Sequence, residues 1–426
     1  AARPGGVKAT DESVEMLSLW LHGRRLGWLA GYRGGRNVLV FDDAWRLDEN
    51  RPTLSLSLMA AAPNSQRLLQ APWMRRQRLH PWLSNLLPEG ALRHWLAAEL
   101  KVHPDNEFPL LAALGHDLPG GLEVAAVAPD EMPEWVLAHR QSVTPRPRRV
   151  AVGRGFSLAG VQMKFSMREQ DGRFFGAGDA LPGDWIVKPP SPHHPWLVQN
   201  EYSAMRLAQA AGVFIPEIRL VPLEELQGLP ALNLPDEPLA YAIKRFDRAE
   251  GGRVHAEDFA QVLFRYPYEK YAGPSYEQLG RLVREFSADG MACAAQMARR
   301  LLVNLLLANG DAHLKNWSLL YPDRYRPRLS PAYDIVTTRA YLPNEREAAL
   351  NLNGKKLWEQ LKQDDFRHWA ERVGVSWPVV EAELQDALAC ARASWPDMLE
   401  ALPMAHEHKA LLREHWRRLA PEWQIR

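Results

Sequence analysis

The stretch ARRLLVNLLLANGDAHLKNWSLLYPDRYRPRLSPAYDI (298–335) decides the fold. Its first twelve residues carry apolar side chains at helical spacing, which predicts a buried helix that runs up to Gly310. A glycine readily adopts the positive φ of a helix C-terminus, so we expect a sharp turn there that presents Asp311 on a loop. Asp311, His313 and Asn316 then lie within six residues. Polar residues of this kind directly after a buried helix are typical of the mouth of a cleft.

These residue types fit phosphoryl transfer. The reaction needs an aspartate that orients or deprotonates the attacking hydroxyl, together with oxygen ligands for Mg²⁺. Asp311 and Asn316, in D-x-x-x-x-N spacing, and Asp334, eighteen residues beyond Asn316, supply that set. Protein kinases likewise combine an Asp and an Asn of the catalytic loop with a later Asp on the metal. Here the later motif is YDI instead of DFG, and no HRD precedes the loop.

Each of these residues also has an ordinary structural interpretation. Asp311 could cap a turn, Asn316 could pair with backbone, and Asp334 could be a solvated loop acid. His313 could be a general base or a metal ligand, but no second His or Cys lies at metal-binding spacing. Contact with a nucleotide, or a role in orienting the backbone, is the better interpretation of this histidine.

The composition is that of a folded globular protein and excludes several classes. Of 426 residues, 46% are apolar and 24% charged, and 52 basic against 51 acidic residues leave a net charge of +1. This balance argues against a polyanion-binding protein. Two cysteines cannot form a disulfide framework, and neither an apolar run of about 18 residues nor a secretory leader is visible. We therefore expect a cytoplasmic protein without membrane association.

The pattern along the chain predicts an α+β protein of several units. Residues 14–128 carry strand-like segments, among them TLSLSLM (53–59), followed by a helical pair. Residues 129–150 have the proline-rich, charged composition of a connector. Residues 151–248 indicate a mixed α/β lobe and residues 249–426 a mainly helical lobe. A small α/β lobe before a larger helical lobe is typical of a two-lobed nucleotide cleft.

Three further segments could bind a nucleotide. Lys188 ends the strand-like DWIVKPP (184–190), where a cation could contact phosphates. The glycines of VGRGFSLAGVQMKFSM (152–167) would let backbone N–H groups approach a phosphate, with the Ser157 hydroxyl beside them. YAIKRFDR (241–248) lies where a hinge between lobes could pair with adenine. A solvated lysine, a plain glycine-rich hairpin and an ordinary exit strand are the structural alternatives.

Taken in order, these motifs resemble the HipA-type serine/threonine kinases, the toxins of type II toxin–antitoxin modules. The resemblance covers nearly the whole chain and includes an N-terminal subdomain in LSNLLPEGALR and LLAALGHDLPGGLEV. It implies a two-lobed, protein-kinase-like α+β fold that uses ATP and Mg²⁺. It rests on SLAGVQMKFS (157–166), DWIVKPP, QNEYSAMRLAQAAG (199–212), YAIKRFDR, EDFAQVL (257–263), NGDAHLKNWS (309–318) and SPAYDIV (330–336).

The resemblance also implies residue roles. Asp311 matches the catalytic aspartate, Asn316 and Asp334 match the magnesium ligands, and Ser157 matches the serine that such kinases phosphorylate on themselves. Residues expected to contact the nucleotide belong to the phosphate loop, the strand lysine, the hinge and the catalytic loop: Ala159, Gly160, Val161, Gln162, Met163, Lys164, Lys188, Lys244, Arg245, Phe246, His313, Lys315, Asn316, Tyr333 and Asp334.

The chain departs from the family pattern at three places. Met163 stands where the family often has a glutamate, so a carboxylate is absent from the phosphate loop. Lys244 replaces an acidic hinge residue, which is tolerable if the hinge acts through backbone atoms. The catalytic loop begins Asn-Gly-Asp-Ala-His instead of Thr-Asp-Gly-His, which leaves Asp311, His313 and Asn316 in register.

Partners and substrates follow only from the resemblance. It implies a HipB-like helix-turn-helix antitoxin, operator DNA contact only through that antitoxin, and a protein substrate such as an aminoacyl-tRNA synthetase. Two other functions stay open. One is a kinase-like scaffold that binds nucleotide or antitoxin and represses transcription without phosphate transfer. The other is a small-molecule phosphotransferase of the aminoglycoside type, although that family lacks the N-terminal unit and the SLAGVQ loop.

Overall fold

The computed structural model describes residues 12–138, 145–152, 162–176 and 182–426. Four of the residues predicted to act in the phosphate loop lie outside the described residues: Ser157, Ala159, Gly160 and Val161. Within the described ranges, no helix combines the length and apolar character needed to span a bilayer.

The first part of the chain forms a largely antiparallel sheet in the order β4-β3-β2-β1-β5, with β6 parallel to β1. Strand β1 is central and has both faces covered, because Leu17 and Leu19 pack into one apolar cluster and Val14 and Met16 into another. The strands are β1 (Ser13–Leu21), β2 (Arg24–Tyr32), β3 (Arg36–Phe41), β4 (Trp73–Arg76), β5 (Leu122–Ala126) and β6 (Arg146–Arg148).

Five short helices lie between β3 and β5. They are α1 (Asp43–Arg46), α2 (Ser65–Gln70), α3 (Pro81–Ser84), α4 (Gly90–Leu100) and α5 (Glu107–Leu114). The strand predicted for TLSLSLM is wrong, since a single 3₁₀ turn (Leu56–Leu58) forms there. Burial does not alternate along the segment, because Ser55 is as buried as the leucines on either side of it. Leu54 and Leu58 join the N-terminal core while Leu56 enters the core of the helical lobe, so the segment links two parts of the molecule.

The next part is a six-stranded sheet covered by one helix. The strands follow the order β10-β12-β9-β7-β8-β11. Its elements are β7 (Phe165–Gln170), β8 (Arg173–Gly176), β9 (Trp185–Lys188), α6 (Leu197–Ala210), β10 (Ile218–Pro222), β11 (Leu226–Gln227) and β12 (Leu239–Lys244). Strand β9 lies inside the sheet between β7 and β12, and the lysine at its end pairs with Tyr241 of β12.

The rest of the chain is mainly helical. Helices α8, α9, α10, α11 and α12 share one apolar core with α6, which ties the two lobes together. The elements are β13 (Arg248–Ala249), β14 (Gly252–Arg253), β15 (His255–Asp258), α7 (Phe259–Val262), α8 (Tyr276–Phe286), α9 (Gly290–Leu306), β16 (Ser318–Tyr321), β17 (Arg328–Leu329), β18 (Glu347–Leu352), β19 (Lys355–Leu357), α10 (Gln363–Val373), α11 (Trp377–Ala401) and α12 (His406–Arg418).

The turn after α9 differs from its prediction. The helix ends at Leu306, and the positive φ belongs to Ala308 (51°) instead of Gly310. Gly310 instead leaves room for a neighbouring side chain, because a Cβ there would lie 2.3 Å from a carboxylate oxygen of Glu345. The glycine thus allows Glu345 to approach the backbone next to Asp311.

Candidate active site

A cleft of about 940 Å³ lies between the six-stranded sheet and the helical lobe. Lys188 lines it from the sheet, Asp311 and Asp334 line it from loops of the helical lobe, and Asn85 and Glu89 line it from the N-terminal part. The cleft therefore brings together residues that are distant in sequence, from three parts of the chain.

A buried lysine joins the two sides of this cleft. The Nζ atom of Lys188 donates to Oε1 of Glu201 on α6 at 2.6 Å and to Oδ1 of Asp334 at 2.5 Å. The lysine is only 3% exposed. In protein kinases, a lysine of the small-lobe sheet pairs with a helix glutamate in the same way. We call Lys188, Glu201 and Asp334 the lysine cluster.

Electrostatics keep the bridging pair ionised. Burial works against the charge of Lys188, but Asp334 and Glu201 outweigh it and raise the pKa of the lysine above its usual value. Burial alone would raise the pKa of Asp334, yet Lys188 and Lys164 hold that pKa well below the usual range. Burial raises the pKa of Glu201, whose Oε2 has no hydrogen-bond partner among the described residues.

Asp334 has an unusual backbone conformation for a residue other than glycine. Its φ is 54°, in the left-handed region, which stores strain of order 1–3 kcal/mol at functional sites. The flanking residues fix the loop. The Tyr333 hydroxyl donates to the backbone oxygen of Lys315 at 2.8 Å, and the Asn200 side chain bonds both N–H and C=O of Thr337. The carboxylate of Asp334 is thus directed by its surroundings.

Asp311 lies in the loop after α9 and lines the same cleft as the lysine cluster. Its backbone oxygen accepts from Nδ2 of Asn316 at 2.7 Å, and its N–H donates to Oδ1 of Asn309 at 3.0 Å. Burial raises the pKa of Asp311, and a hydrogen bond from the Tyr271 hydroxyl lowers it in part. A carboxylate of raised pKa beside an open cleft is suited to accept a proton.

His313 and Lys315 have their side chains engaged within the protein. Nδ1 of His313 accepts from the Lys315 N–H at 3.1 Å, so the ring proton is on Nε2, which lies 3.8 Å from Oδ2 of Asp311. Burial and the nearby cations lower the pKa of His313 to about 3. The Lys315 amine donates to Asp258 at 3.0 Å and to Asn85 at 2.9 Å. Both side chains hold the loop in place.

Much of the hinge, residues 244–248, is already engaged in contacts within the protein. The N–H groups of Lys244 and Arg245 already donate to the carbonyls of Glu217 and Asp184, both at 2.9 Å. The Arg245 guanidinium is fully buried in ion pairs with Asp117 and Asp247.

The next hinge residue has an aromatic side chain that faces the cleft. The ring of Phe246 lies 5.7 Å from that of Tyr333, and both residues line the cleft. An aromatic surface of this kind could support a nucleobase.

The described end of the phosphate loop contributes two polar groups. Gln162 and Lys164 line the cleft, and Nε2 of Gln162 is buried without a partner within the described ranges. Burial lowers the pKa of Lys164. Met163 packs against the apolar cluster of the small-lobe sheet, so this departure from the family pattern serves packing.

The donor set fits magnesium bound together with phosphates. Asp334 supplies an ionised carboxylate, and Asn316 keeps Oδ1 as an acceptor because its Nδ2 is used on Asp311. In the part of the chain that the structure describes, no group of three or more His, Cys, Asp or Glu side chains forms a metal site. Mg²⁺ is commonly held by one or two protein oxygens with waters and substrate phosphates, which this set allows.

Sequence analysis did not predict two residues of the site. Glu201 lies within the QNEYSAMRLAQAAG segment, and its signal is an acidic residue on the apolar face of a helix. Tyr271 lies in a turn before α8, and no local pattern marks it.

A lysine of the small-lobe sheet paired to a helix glutamate, above a loop with an Asp and an Asn, places the chain in the class of two-lobed, protein-kinase-like folds. Comparison with known protein families then shows to which family the chain belongs. The HipA N-terminal domain matches residues 17–125, and the HipA-like C-terminal domain matches residues 156–395, more than half of the chain. The protein belongs to the HipA family, and the predicted family is confirmed.

Several relatives extend over most of the chain. The Sinorhizobium fredii proteins named “Putative kinase Y4dM” and “Putative kinase Y4mE” are 39% and 30% identical, over 92% and 87% of this chain and 94% and 89% of their own. A Shewanella oneidensis protein named serine/threonine-protein kinase toxin HipA is 28% identical over 64% of this chain and 66% of its own.

A solved structure shows the same fold. It is the Shewanella oneidensis HipA toxin–antitoxin system with HipB and operator DNA, and it matches with a TM-score of 0.68 at 21% identity. The match covers 94% of this chain and 95% of the other. The predicted two-lobed, kinase-like α+β fold is confirmed.

Proposed function

We propose that this protein is an ATP-dependent protein serine/threonine kinase that acts as the toxin of a type II toxin–antitoxin module. The observation that carries the proposal is the bridge from Lys188 to Glu201 and Asp334, in the cleft that also holds Asp311. Such a bridge assembles a phosphate-binding cation and a metal-binding carboxylate at one point.

Each residue has a definite task in this chemistry. Lys188 binds the phosphates, and Asn316 and Asp334 hold Mg²⁺, which neutralises charge on the phosphate oxygens when bound. Asp311 accepts the proton of the acceptor hydroxyl while the hydroxyl oxygen bonds to the γ-phosphorus and the bond to the departing ADP breaks. Aligning these groups in the cleft, away from bulk water, is the main contribution of the protein.

The remaining parts of the proposal rest on the family. A relative is named a serine/threonine-protein kinase toxin, and the solved complex contains HipB and operator DNA. We therefore assign to this chain a HipB-like antitoxin, operator DNA contact through that antitoxin, and a protein substrate such as an aminoacyl-tRNA synthetase. Ser157 is the proposed autophosphorylation site.

The test uses labelled ATP, Mg²⁺ and the full chain, first treated with a phosphatase that is then removed. We expect phosphate to appear on Ser157 in the wild-type protein and in Asp397→Ala, which removes an exposed aspartate of α11. No label should appear in Asp311→Ala. An unlabelled wild-type protein would refute the kinase, and nucleotide binding without transfer would favour the scaffold function.

A further inference from the structure

The carboxylate of Asp311 already has a hydroxyl bound to it. The Tyr271 side chain donates a hydrogen bond to Oδ1 of Asp311. Among the described residues, no other side chain donates a hydrogen bond to this carboxylate, since His313 Nε2 is 3.8 Å from Oδ2. A hydroxyl that donates to this oxygen has the hydrogen-bonding position that a phosphate acceptor must take.

Nearby tyrosines use their hydroxyl groups differently. Tyr266, Tyr276 and Tyr333 each donate to a backbone carbonyl, at 2.9, 2.8 and 2.8 Å. These are contacts that hold loops together. Tyr271 instead donates to the proposed catalytic carboxylate, so its hydroxyl serves the site rather than the packing of the lobe.

The backbone beside Tyr271 is tied to the catalytic loop, whereas the side chain is half-exposed. The carbonyl of the preceding Lys270 accepts from the Leu314 N–H at 3.2 Å, which ties this turn to the catalytic loop. The Tyr271 ring meets the His313 ring edge-on, with centroids 5.0 Å apart. The residue is nevertheless 47% exposed, so a rotation of the side chain would release Asp311 into the cleft.

We infer that Tyr271 occupies the acceptor position of the substrate-free enzyme, and that an acceptor hydroxyl must displace it to reach Asp311. The inference rests on the proposed kinase function. Tyr271 is then a specificity-determining residue: it favours acceptors presented tightly enough to replace an internal hydrogen bond, and it disfavours water.

Substitution Tyr271→Phe tests this with the full chain and MgATP. Phenylalanine keeps the ring next to His313 and removes only the hydroxyl. We expect the release of inorganic phosphate, with water as acceptor, and the phosphorylation of the chain itself both to rise about ten- to a hundredfold, the range for loss of a hydrogen bond to a charged group. The KM for ATP should stay unchanged.

The matched control is Tyr268→Phe. Tyr268 lies in the same turn, is 66% exposed, and its hydroxyl has no hydrogen bond in the described part of the chain. This variant should behave like wild type.

The outcomes separate the two proposals. Equal or lower rates in Tyr271→Phe, with an active wild-type protein, would overturn the inference and leave the kinase intact. Absence of both reactions in wild type and in both variants would overturn the kinase, and the inference with it.

Discussion

Two buried clusters of charge meet at this cleft and are built differently. We call Arg245, Asp117 and Asp247 the hinge cluster. In it, Arg245 donates through all three guanidinium nitrogens, to both oxygens of Asp247 and to Asp117, at 2.8 to 2.9 Å. In the lysine cluster, one oxygen of Glu201 has no partner within the described ranges, and Asp334 has a strained backbone.

This difference indicates a structural role for the hinge cluster and a functional role for the lysine cluster. A fully paired buried ion gains nothing from a ligand, whereas an unpaired oxygen and a strained loop are tolerated where a ligand completes the site. The hinge cluster joins the N-terminal part to the hinge, since Asp117 follows α5. The lysine cluster joins the lobes at the point where, by our proposal, phosphate and metal bind.

The largest expected effect comes from breaking the hinge cluster. Arg245→Met leaves Asp117 and Asp247 buried without their main partner, and loss of one member of a buried pair typically lowers the free energy of unfolding by about 3–5 kcal/mol. Denaturant titration followed by tryptophan fluorescence measures this loss. Arg219→Met, which removes a guanidinium from a partly exposed pair, is the control and should change stability by less than about 1 kcal/mol. A wild-type midpoint for Arg245→Met would contradict the structural role.

Breaking the lysine cluster should instead remove turnover. Lys188→Met eliminates the cation that contacts Asp334 and, by our proposal, the phosphates, so kcat should fall about 10²–10³-fold. Steady-state release of phosphate from ATP measures the effect. Lys409→Met, on the surface of α12, provides the matched comparison and should keep wild-type kcat. Full turnover in Lys188→Met would exclude a catalytic role for this cluster.

The smallest effect is a shift in pH dependence. Burial raises the pKa of Asp311, whereas Lys188 and Lys164 overcome the effect of burial and hold the pKa of Asp334 low. Asp311 must be ionised to accept a proton, so activity should fall with decreasing pH at a pH above the usual carboxyl pKa, while Asp334 stays ionised. The acid limb of the kcat/KM profile reports this pKa.

The same pH profile tests whether Asp311 is the residue whose ionisation sets the acid limb. The hydrogen bond from Tyr271 lowers the pKa of Asp311, so the acid limb should move to higher pH in Tyr271→Phe. A limb at or below the usual carboxyl pKa in wild type would show that a different group controls activity.

Much of the candidate site and of the helical structure could be predicted from residues that are close together in the sequence. Asp311, Asn316 and Asp334 follow a buried helix in an order similar to that of protein kinases, and their residue types fit phosphoryl transfer. Periodic apolar positions likewise indicated the helix α9 and the mainly helical character of residues 249–426. Where neighbouring residues determine a feature, the sequence alone can indicate it.

Prediction failed where a segment takes its conformation from distant parts of the chain. TLSLSLM alternates like a strand, but Leu56 inserts into a second core and its N–H donates to Glu257, 201 residues away. Gly310 was predicted to end the helix, but the structure shows that it leaves room for the Glu345 carboxylate, which comes from a later part of the chain.

By itself, the sequence determined which residue types are available for phosphate transfer, because these depend on local patterns, and the resemblance of its motifs indicated the family. Only the tertiary structure decided which groups meet. Lys188 reaches Asp334 across 146 residues, and Tyr271 reaches Asp311 across 40. Such contacts arise from the packing of whole lobes, which brings together side chains that no local spacing connects.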